Sequence, residues 1–425
     1  MPNVLDTLRE RVLFEDATSP DLARALDAPL TVYAGFDPSS DSLQAGNLAA
    51  IMALVHFQRA GHRAIAVVGG ATGLIGDPSG KSSEREMLSA GDVARNLEGI
   101  RENLSRFLDF SHPTAPALIV NNFDWHREFT FLSFLREVGK HFRLGPMLGK
   151  ESVRRRLESE EGMSFTEFCY QLLQAYDFLW LHDRYGCRLQ IGGADQWGNI
   201  TAGIDLIRRL RGTDAYGLTI PLVCDNLGRK FGKSEGNAVF LDSRRTSCYA
   251  FYQFFLRSLD ADVGRFLRIF TFLPPARIAE LEEQVRTAPE GREAQRVLAE
   301  EVTRNVHGAD GLAAAQRASE VLFGGSLEGL TAADLLGVFA DVPSASLAAA
   351  AVVGRPAIDV VVAAGLCASR GEARRLTQQG GLYLNNVRVA DPARTIGPSD
   401  LIDGVLLVLR SGRKTFHLVR LAAEA

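Results

Sequence analysis

The chain has 425 residues, enough at roughly 150 per domain for two or three domains, and is 46% apolar, 23% charged and 8% aromatic with 40 glycines. The uncharged stretch 64–76 is shorter than the ~18–20 residues of a membrane span, and the N-terminus is charged from Asp6 onward with no apolar signal core. Five cysteines contain no Cys-x-x-Cys pair, so secretion, a disulfide framework and a zinc site are disfavoured and a reduced cytoplasm fits.

Charge is unevenly placed. From Ala351 to the end there are ten Arg/Lys against six Asp/Glu; of the totals of 47 and 51, residues 1–350 keep 37 against 45. A basic tail on an acidic body suggests a terminal module that meets a polyanion. A solvated basic face has the same composition.

In chain order, residues 30–36 read as a strand closed by Asp37-Pro38, followed by a helix over about 47–60 and a second strand over 63–69. Further strands are expected at 117–120, 188–191 and 218–223, with a helix over 165–185 between them. Strands separated by helices and glycine turns predict a doubly wound parallel sheet, which takes ligands beyond the carboxyl ends of its strands. This α/β domain is expected to span 1–223. From 246 to 323 helical spacing replaces strand patterns, broken by Pro274-Pro275, so 224–323 reads as a helical domain. Residues 324–350, rich in Gly, Ala and Ser, read as a linker with at most a short helix. The last segment, 351–425, is a small α+β module. It has a helix capped by Ser369, an Asn385-Asn386 turn and two strands meeting across Ser411-Gly412.

Two nucleotide-site look-alikes fail on spacing. Gly80-Lys81-Ser82 lacks the earlier glycine of a P-loop, where Ile75 stands, and Gly70-x-x-Gly73-x-x-Gly76 is not the dinucleotide fingerprint.

Four segments carry candidate chemistry. In residues 33–47, Gly35 and Gly46 allow close backbone approach, and the helix start at Asn47 offers N–H groups to a phosphate. The glycine-dense loop 69–80 holds Asp77 and precedes Lys81 and Arg85, suiting a zwitterion beside a phosphate or simply a surface loop. On the 165–185 helix, Tyr170, Gln174 and Asp177 share one side opposite an apolar stripe; they fit an amino-acid ligand or a solvated face. The strand that follows ends in Gln190-Ile-Gly192-Gly-Ala-Asp195-Gln196, with Asp195 placed for a ribose. Last comes Lys230-Phe-Gly-Lys233-Ser234, a basic loop able to follow charge on leaving pyrophosphate, or an exposed turn.

Together, in this order, these segments resemble the bacterial-type tyrosyl-tRNA synthetases, a class I aminoacyl-tRNA synthetase family, over nearly the whole chain. The C-terminal module resembles the small RNA-binding fold named after a ribosomal S-four protein. The resemblance implies a Rossmann-like catalytic domain that makes tyrosyl-adenylate from L-tyrosine and ATP and transfers tyrosine to tRNA(Tyr). By it, Tyr33 and Asp177 bind the substrate phenol, and Asp77, Tyr170 and Gln174 its ammonium, with Gln190 nearby. Gly35, Asp37, Ser39, Gly46, Gly192, Asp195 and Gln196 are implied at the adenylate. Lys230, Lys233 and Ser234 form the second signature, with Lys81 and Arg85 reaching pyrophosphate. Mg²⁺ is implied on the ATP phosphates, with no tightly bound protein metal. Arg370, Arg374, Arg375, Arg388, Arg413 and Lys414 are implied at tRNA, the helical domain at the anticodon, and a homodimer interface around 129–149 and Phe165.

One departure is visible. Where the family usually shows His-x-Gly-His, this chain has Gln44-Ala-Gly-Asn47. Neither side chain can carry an imidazolium charge, though both can donate a hydrogen bond, so an active enzyme with redistributed transition-state contacts is expected. Two other readings stay open: a tryptophan-specific relative, which a pocket without the Tyr33/Asp177 pair would favour, and a non-catalytic RNA-binding paralogue, which the basic loop at 230–234 opposes.

Overall fold

Short runs of β-branched and small apolar residues, each stopped by glycine, proline or asparagine, become the strands of the first sheet. The computed structural model describes residues 3–79, 88–158, 162–226, 228, 231–234, 237–322, 325, 327, 330–339, 342–412 and 415–422. It forms two units, Met1–Thr246 with Phe254–Val306, and Ser247–Gln253 with His307–Ala425.

The first unit holds strands β1 (Asp16–Ala17), β2 (Thr31–Phe36), β3 (Arg63–Val68), β4 (Leu118–Asn121), β5 (Cys187–Gly193) and β6 (Tyr216–Ile220). Their order is β1-β6-β5-β2-β3-β4. All pair in parallel except β1, which runs antiparallel to β6. The five parallel strands are those expected; β1 is too short to leave a periodic trace. Chain direction across the sheet reverses between β2 and β5. That is the switch point where a doubly wound sheet opens a crevice. There the register sets Tyr33 beside Gln190 and Ala34 beside Ile191.

Two helices frame the crevice. Phe165–Tyr185 starts with Ser164 accepting the Glu167 N–H and stops at Gly186 in the left-handed region (φ 61°). Trp197–Arg211 packs on it closely, because a Cβ at Gly203 would lie 2.9 Å from the Phe178 ring. The Leu48–Arg59 helix, buried along most of its length, backs β2 and β3.

The second unit is built on a five-stranded sheet. Its strands are β9 (Ser344–Leu347), β10 (Leu382–Leu384), β11 (Val387–Arg388), β12 (Leu406–Ser411) and β13 (Thr415–Leu421), in the order β11-β10-β12-β13-β9. Asn385 and Asn386 take positive φ (47° and 64°), as the tight β10–β11 turn requires. Side chains alternate along β12. Leu407 and Leu409 join a core with the Ala357–Ala363 and Arg370–Gln378 helices, while Leu406 and Val408 join Val321, Leu335 and Phe339 on the other face.

That second core corrects the linker expected at 324–350. Among its described residues, the Ala332–Val338 helix covers one face of the sheet and β9 adds a parallel strand to β13. Alanine- and serine-rich sequence reads as flexible, but it also fits a short edge strand. The helical segment expected at 224–323 is likewise divided. Gly308, at φ 74°, interrupts the Glu293–Leu322 helix, and residues from His307 onward belong to the second unit. Among the described residues, no helix is long and apolar enough to cross a membrane.

Candidate active site

The crevice at the carboxyl ends of β2 and β5 is a cavity of about 310 Å³, within the range of small-molecule sites. Its lining includes Tyr33, Gly35, Asp37, Ser39, Gly46, Asn47, Asp77, Tyr170, Gln174, Asp177, Gln190, Gly192, Asp195 and Gln196. The polar side of the 165–185 helix is therefore no solvated face: Tyr170 is 5% and Asp177 3% exposed.

At its deep end, Asp177 is held from three sides. Trp125 Nε1 donates to Oδ1 at 2.8 Å, His126 Nε2 meets the same oxygen at 2.8 Å, and Asn122 Nδ2 donates to Oδ2 at 3.1 Å. A carboxylate offers about four acceptor positions, so these three bonds leave one, on Oδ2. Facing the same space, the Tyr33 hydroxyl and Gln190 Oε1 are buried with no hydrogen-bond partner among the described residues. Such atoms are costly to leave unmet. A ligand hydroxyl placed between Tyr33 and Asp177 would meet both. Burial, reinforced by the Asp177 carboxylate, raises the Tyr33 pKa well above the ordinary phenol value, so the group stays a neutral donor.

Nearer the strand ends, Tyr170 donates its hydroxyl to Asp37 Oδ2 at 2.8 Å, and Thr72 donates to Asp37 Oδ1 at 2.7 Å. Burial first, and Asp37 and Asp77 after it, raise the Tyr170 pKa. With its proton committed to Asp37, the Tyr170 oxygen presents a lone pair, which suits a cationic donor. Asp77 accepts the Ser79 N–H at 2.9 Å and the Gln196 amide at 2.6 Å.

The glycine-dense loop has a packing reason beyond any ligand. A side chain at Gly69 would run into the Asp37 carboxylate and one at Gly70 into the Asn121 amide; at Gly73 a Cβ would lie 2.8 Å from Pro38. These glycines let the loop fold down over the Asp37-Pro38 turn.

The two signature segments meet through their backbones. Ala45 N–H donates to Val239 at 2.8 Å, and Leu241 N–H to Leu43 at 2.8 Å. Gly232 sits at φ 92°, where an added Cβ would be 2.8 Å from Gly46 N; one at Gly46 would be 3.2 Å from the Phe231 carbonyl. Asn47 accepts the Gln44 N–H through Oδ1 at 2.9 Å, which turns its amide nitrogen away from that bond and leaves it as the donor of a cavity-lining residue. Gln44 itself bridges to Phe240 and is not among the lining residues. Lys233–Ser234 forms a short strand, β7, paired antiparallel with β8 (Asn237–Ala238). Lys81, Arg85, Lys230, Arg413 and Lys414 lie outside the described residues, as do the side chains of Lys233 and Ser234.

With this geometry in view, the likeness to known proteins is specific. Residues 25–324 match the family model for tRNA synthetases class I (W and Y), which is most of the chain. The chain belongs to the class I tRNA synthetases. Residues 334–419 match the C-terminal domain of this synthetase family described as tyrosine–tRNA ligase SYY-like. Among curated class I synthetases, the tyrosine–tRNA ligase of Protochlamydia amoebophila is 50% identical over 425 residues, covering 100% of both chains. That of Roseiflexus castenholzii is 51% identical over 424 residues, covering 99% of this chain and 100% of its own. A C-terminally truncated mitochondrial tyrosyl-tRNA synthetase from Coccidioides posadasii superposes with a TM-score of 0.66 at 31% identity, over 75% of this chain and 92% of its own.

Asn122, Trp125 and His126 were not singled out from the sequence. They follow β4 on one short turn of helix, Phe123–His126, and the only sequence signal was their position just past the carboxyl end of a strand. Thr72 lies within the glycine-dense loop and Asn199 within the run that follows Gln190, but neither was singled out, because each bonds a side chain far away in sequence.

In the second unit, Arg374, Arg375 and Arg388 are exposed. Arg370 is also exposed and pairs with Asp359.

Proposed function

We infer that the chain is a tyrosine–tRNA ligase, which joins L-tyrosine to ATP as tyrosyl-adenylate, releases pyrophosphate, and passes tyrosine to the 3′ end of tRNA(Tyr). The observation that carries this reading is the deep end of the cavity. A buried phenol without a partner among the described residues faces a carboxylate with one acceptor position left. A substrate phenol donates to Asp177 and accepts from Tyr33; phenylalanine would leave both unmet.

The chemistry needs no side-chain nucleophile. The substrate carboxylate attacks the α-phosphorus of ATP, the bond to the bridging oxygen breaks, and pyrophosphate departs. Rate enhancement then rests on alignment and on charge stabilised as it moves. Asp77, Tyr170 and Gln174 hold the ammonium. Gly35, Asp37, Ser39, Gly46, Gly192, Asp195 and Gln196 seat the nucleotide, and Asn47 supplies an amide donor beside it. Lys81, Arg85, Lys230, Lys233 and Ser234 attend the pyrophosphate. Mg²⁺ suits the ATP phosphates, where it neutralises leaving-group charge. The cavity carboxylates Asp37 and Asp77 are engaged by protein donors, which is consistent with an ion carried by the nucleotide rather than by the protein.

The basic residues of 351–425, Arg370, Arg374, Arg375, Arg388, Arg413 and Lys414, suit a tRNA backbone, and the helical segment the anticodon side. A homodimer is supported by the exposed apolar residues Phe131, Leu132, Leu144, Leu148 and Phe165 on the first unit. Action is expected in the cytoplasm.

Pyrophosphate exchange into ATP, measured with each of the twenty amino acids, tests the reading. Only tyrosine should support it, and Asp177→Asn should lower kcat/KM for tyrosine by roughly 10- to 100-fold through loss of a hydrogen bond to a charged group. Exchange driven by tryptophan, or by no amino acid, would refute it.

A further inference from the structure

We propose that Asn199 is a positioning residue that sets which way the amides around the amine subsite point; this rests on the proposed roles of Asp77 and Gln174. Asn199 is the third residue of the Trp197–Arg211 helix and is 8% exposed. It does not line the main cavity, so it acts through its neighbours. Its Nδ2 lies 3.0 Å from Gln174 Oε1, 3.2 Å from Gln196 Oε1 and 3.3 Å from Ser79 Oγ. One amide nitrogen thus joins three separate segments: the 77–79 loop, the Phe165–Tyr185 helix and the turn after β5.

The direction of this network follows from one charge. A primary amide has an oxygen that accepts and a nitrogen that donates, and reversing it exchanges the two. Gln196 sits 2.6 Å from Asp77 Oδ2, a distance at which only its nitrogen is tolerable toward a carboxylate. Its oxygen must then face Asn199, which must answer with its nitrogen. The same nitrogen obliges Gln174 to turn its oxygen inward at that contact. Asp77 therefore polarises a chain of three amides, and Asn199 is the link that carries the choice to Gln174. Ser79 closes the set, since its N–H binds Asp77 Oδ1 at 2.9 Å and its hydroxyl meets Asn199.

A reversed Gln174 would present donors where a substrate ammonium needs an acceptor. Asn199 therefore contributes to recognition of the amine without touching it, and contributes nothing to recognition of the phenol.

The test uses the full-length chain with Asn199→Asp and Asn199→Ala. The first keeps the shape and loses the donor; the second removes the side chain. Equilibrium binding is measured for L-tyrosine and for 3-(4-hydroxyphenyl)propionate, which has the phenol and carboxylate but no amine, alongside KM for ATP and the thermal midpoint. Both variants should weaken L-tyrosine roughly 10-fold or more, while the amine-free analogue binds all three proteins alike and KM for ATP stays within about twofold. Wild-type affinity for tyrosine in Asn199→Asp, or an equal loss for the amine-free analogue, would overturn the proposal. Failure of the wild type itself to bind tyrosine would instead remove the functional reading beneath it.

Discussion

In the six-stranded sheet, two neighbouring strands place Tyr33 and Gln190 side by side, each buried and each with an atom that no described residue satisfies. In the five-stranded sheet, β12 runs Leu406-Leu-Val-Leu409 and gives both faces to apolar cores. Its unit instead shows charge at the surface, where Arg374 and Arg375 stand on the Arg370–Gln378 helix. A switch point opens a crevice that must be lined by something, and in it the Tyr33 hydroxyl and Gln190 Oε1 have no partner among the described residues. The order β11-β10-β12-β13-β9 has no such switch point, and any recognition its unit performs must use what projects from its helices and turns. The first arrangement favours a small molecule gripped on all sides; the second favours a large polyanion met across an open surface.

Three experiments break or sharpen that contrast. The largest effect should come from the surface. Arg374→Glu with Arg375→Glu should raise KM for tRNA by at least tenfold at low salt and progressively less as salt is added, with tyrosine-dependent pyrophosphate exchange unchanged. A loss of exchange to match would mean that the two units do not divide the labour in this way. A smaller and two-sided effect is expected for Tyr33→Phe. Removing a hydroxyl that lacks a partner among the described residues should leave the thermal midpoint unchanged or raised, while the affinity for tyrosine falls by up to about tenfold. A variant that is destabilised and binds tyrosine normally would show the hydroxyl to be structural.

The smallest effect separates an orphan in the crevice from one elsewhere in the same unit. His56 is buried on the Leu48–Arg59 helix, its Nε2 without a partner among the described residues and its ring 5.4 Å from that of Phe272. Burial, with Arg11 and Arg59 nearby, lowers its pKa to about 4. The unfolded chain takes up its proton near the ordinary 6.5, before the folded chain does. The stability tied to a neutral His56 is therefore complete above pH 6.5 and is lost as pH falls toward 4. Between pH 7 and 5.5 that amounts to about 1 kcal/mol from the usual ~1.4 kcal/mol per pKa unit. Urea unfolding at the two pH values should show this loss in the wild type and a smaller one in His56→Leu. Equal losses would assign the pH sensitivity to other groups.

Much of the site was legible because its chemistry is written in short motifs. Asp177, Gln174 and Tyr170 keep helical spacing, and Gln190 to Gln196 end a strand in glycines. Other parts were not legible. Asn122, Trp125 and His126 hold the Asp177 carboxylate across 51 to 55 positions of sequence, and Thr72 bonds Asp37 across 35. Pairings of that length leave no local periodicity. The segment 324–350 misled for the opposite reason: its small residues suggest freedom, and only the presence of β13 makes β9 a strand.

Sequence alone determined the strands of the parallel sheet, the helix that carries Asp177, and the turns that need glycine or asparagine, because each follows from side-chain periodicity and backbone freedom over a few residues. Tertiary structure decided which buried polar atoms are satisfied by protein and which have no partner among the described residues. It also decided the direction of each amide around Asp77 and the two-sided burial of the C-terminal sheet. Those properties belong to contacts between distant segments, and come into being only when the chain closes on itself.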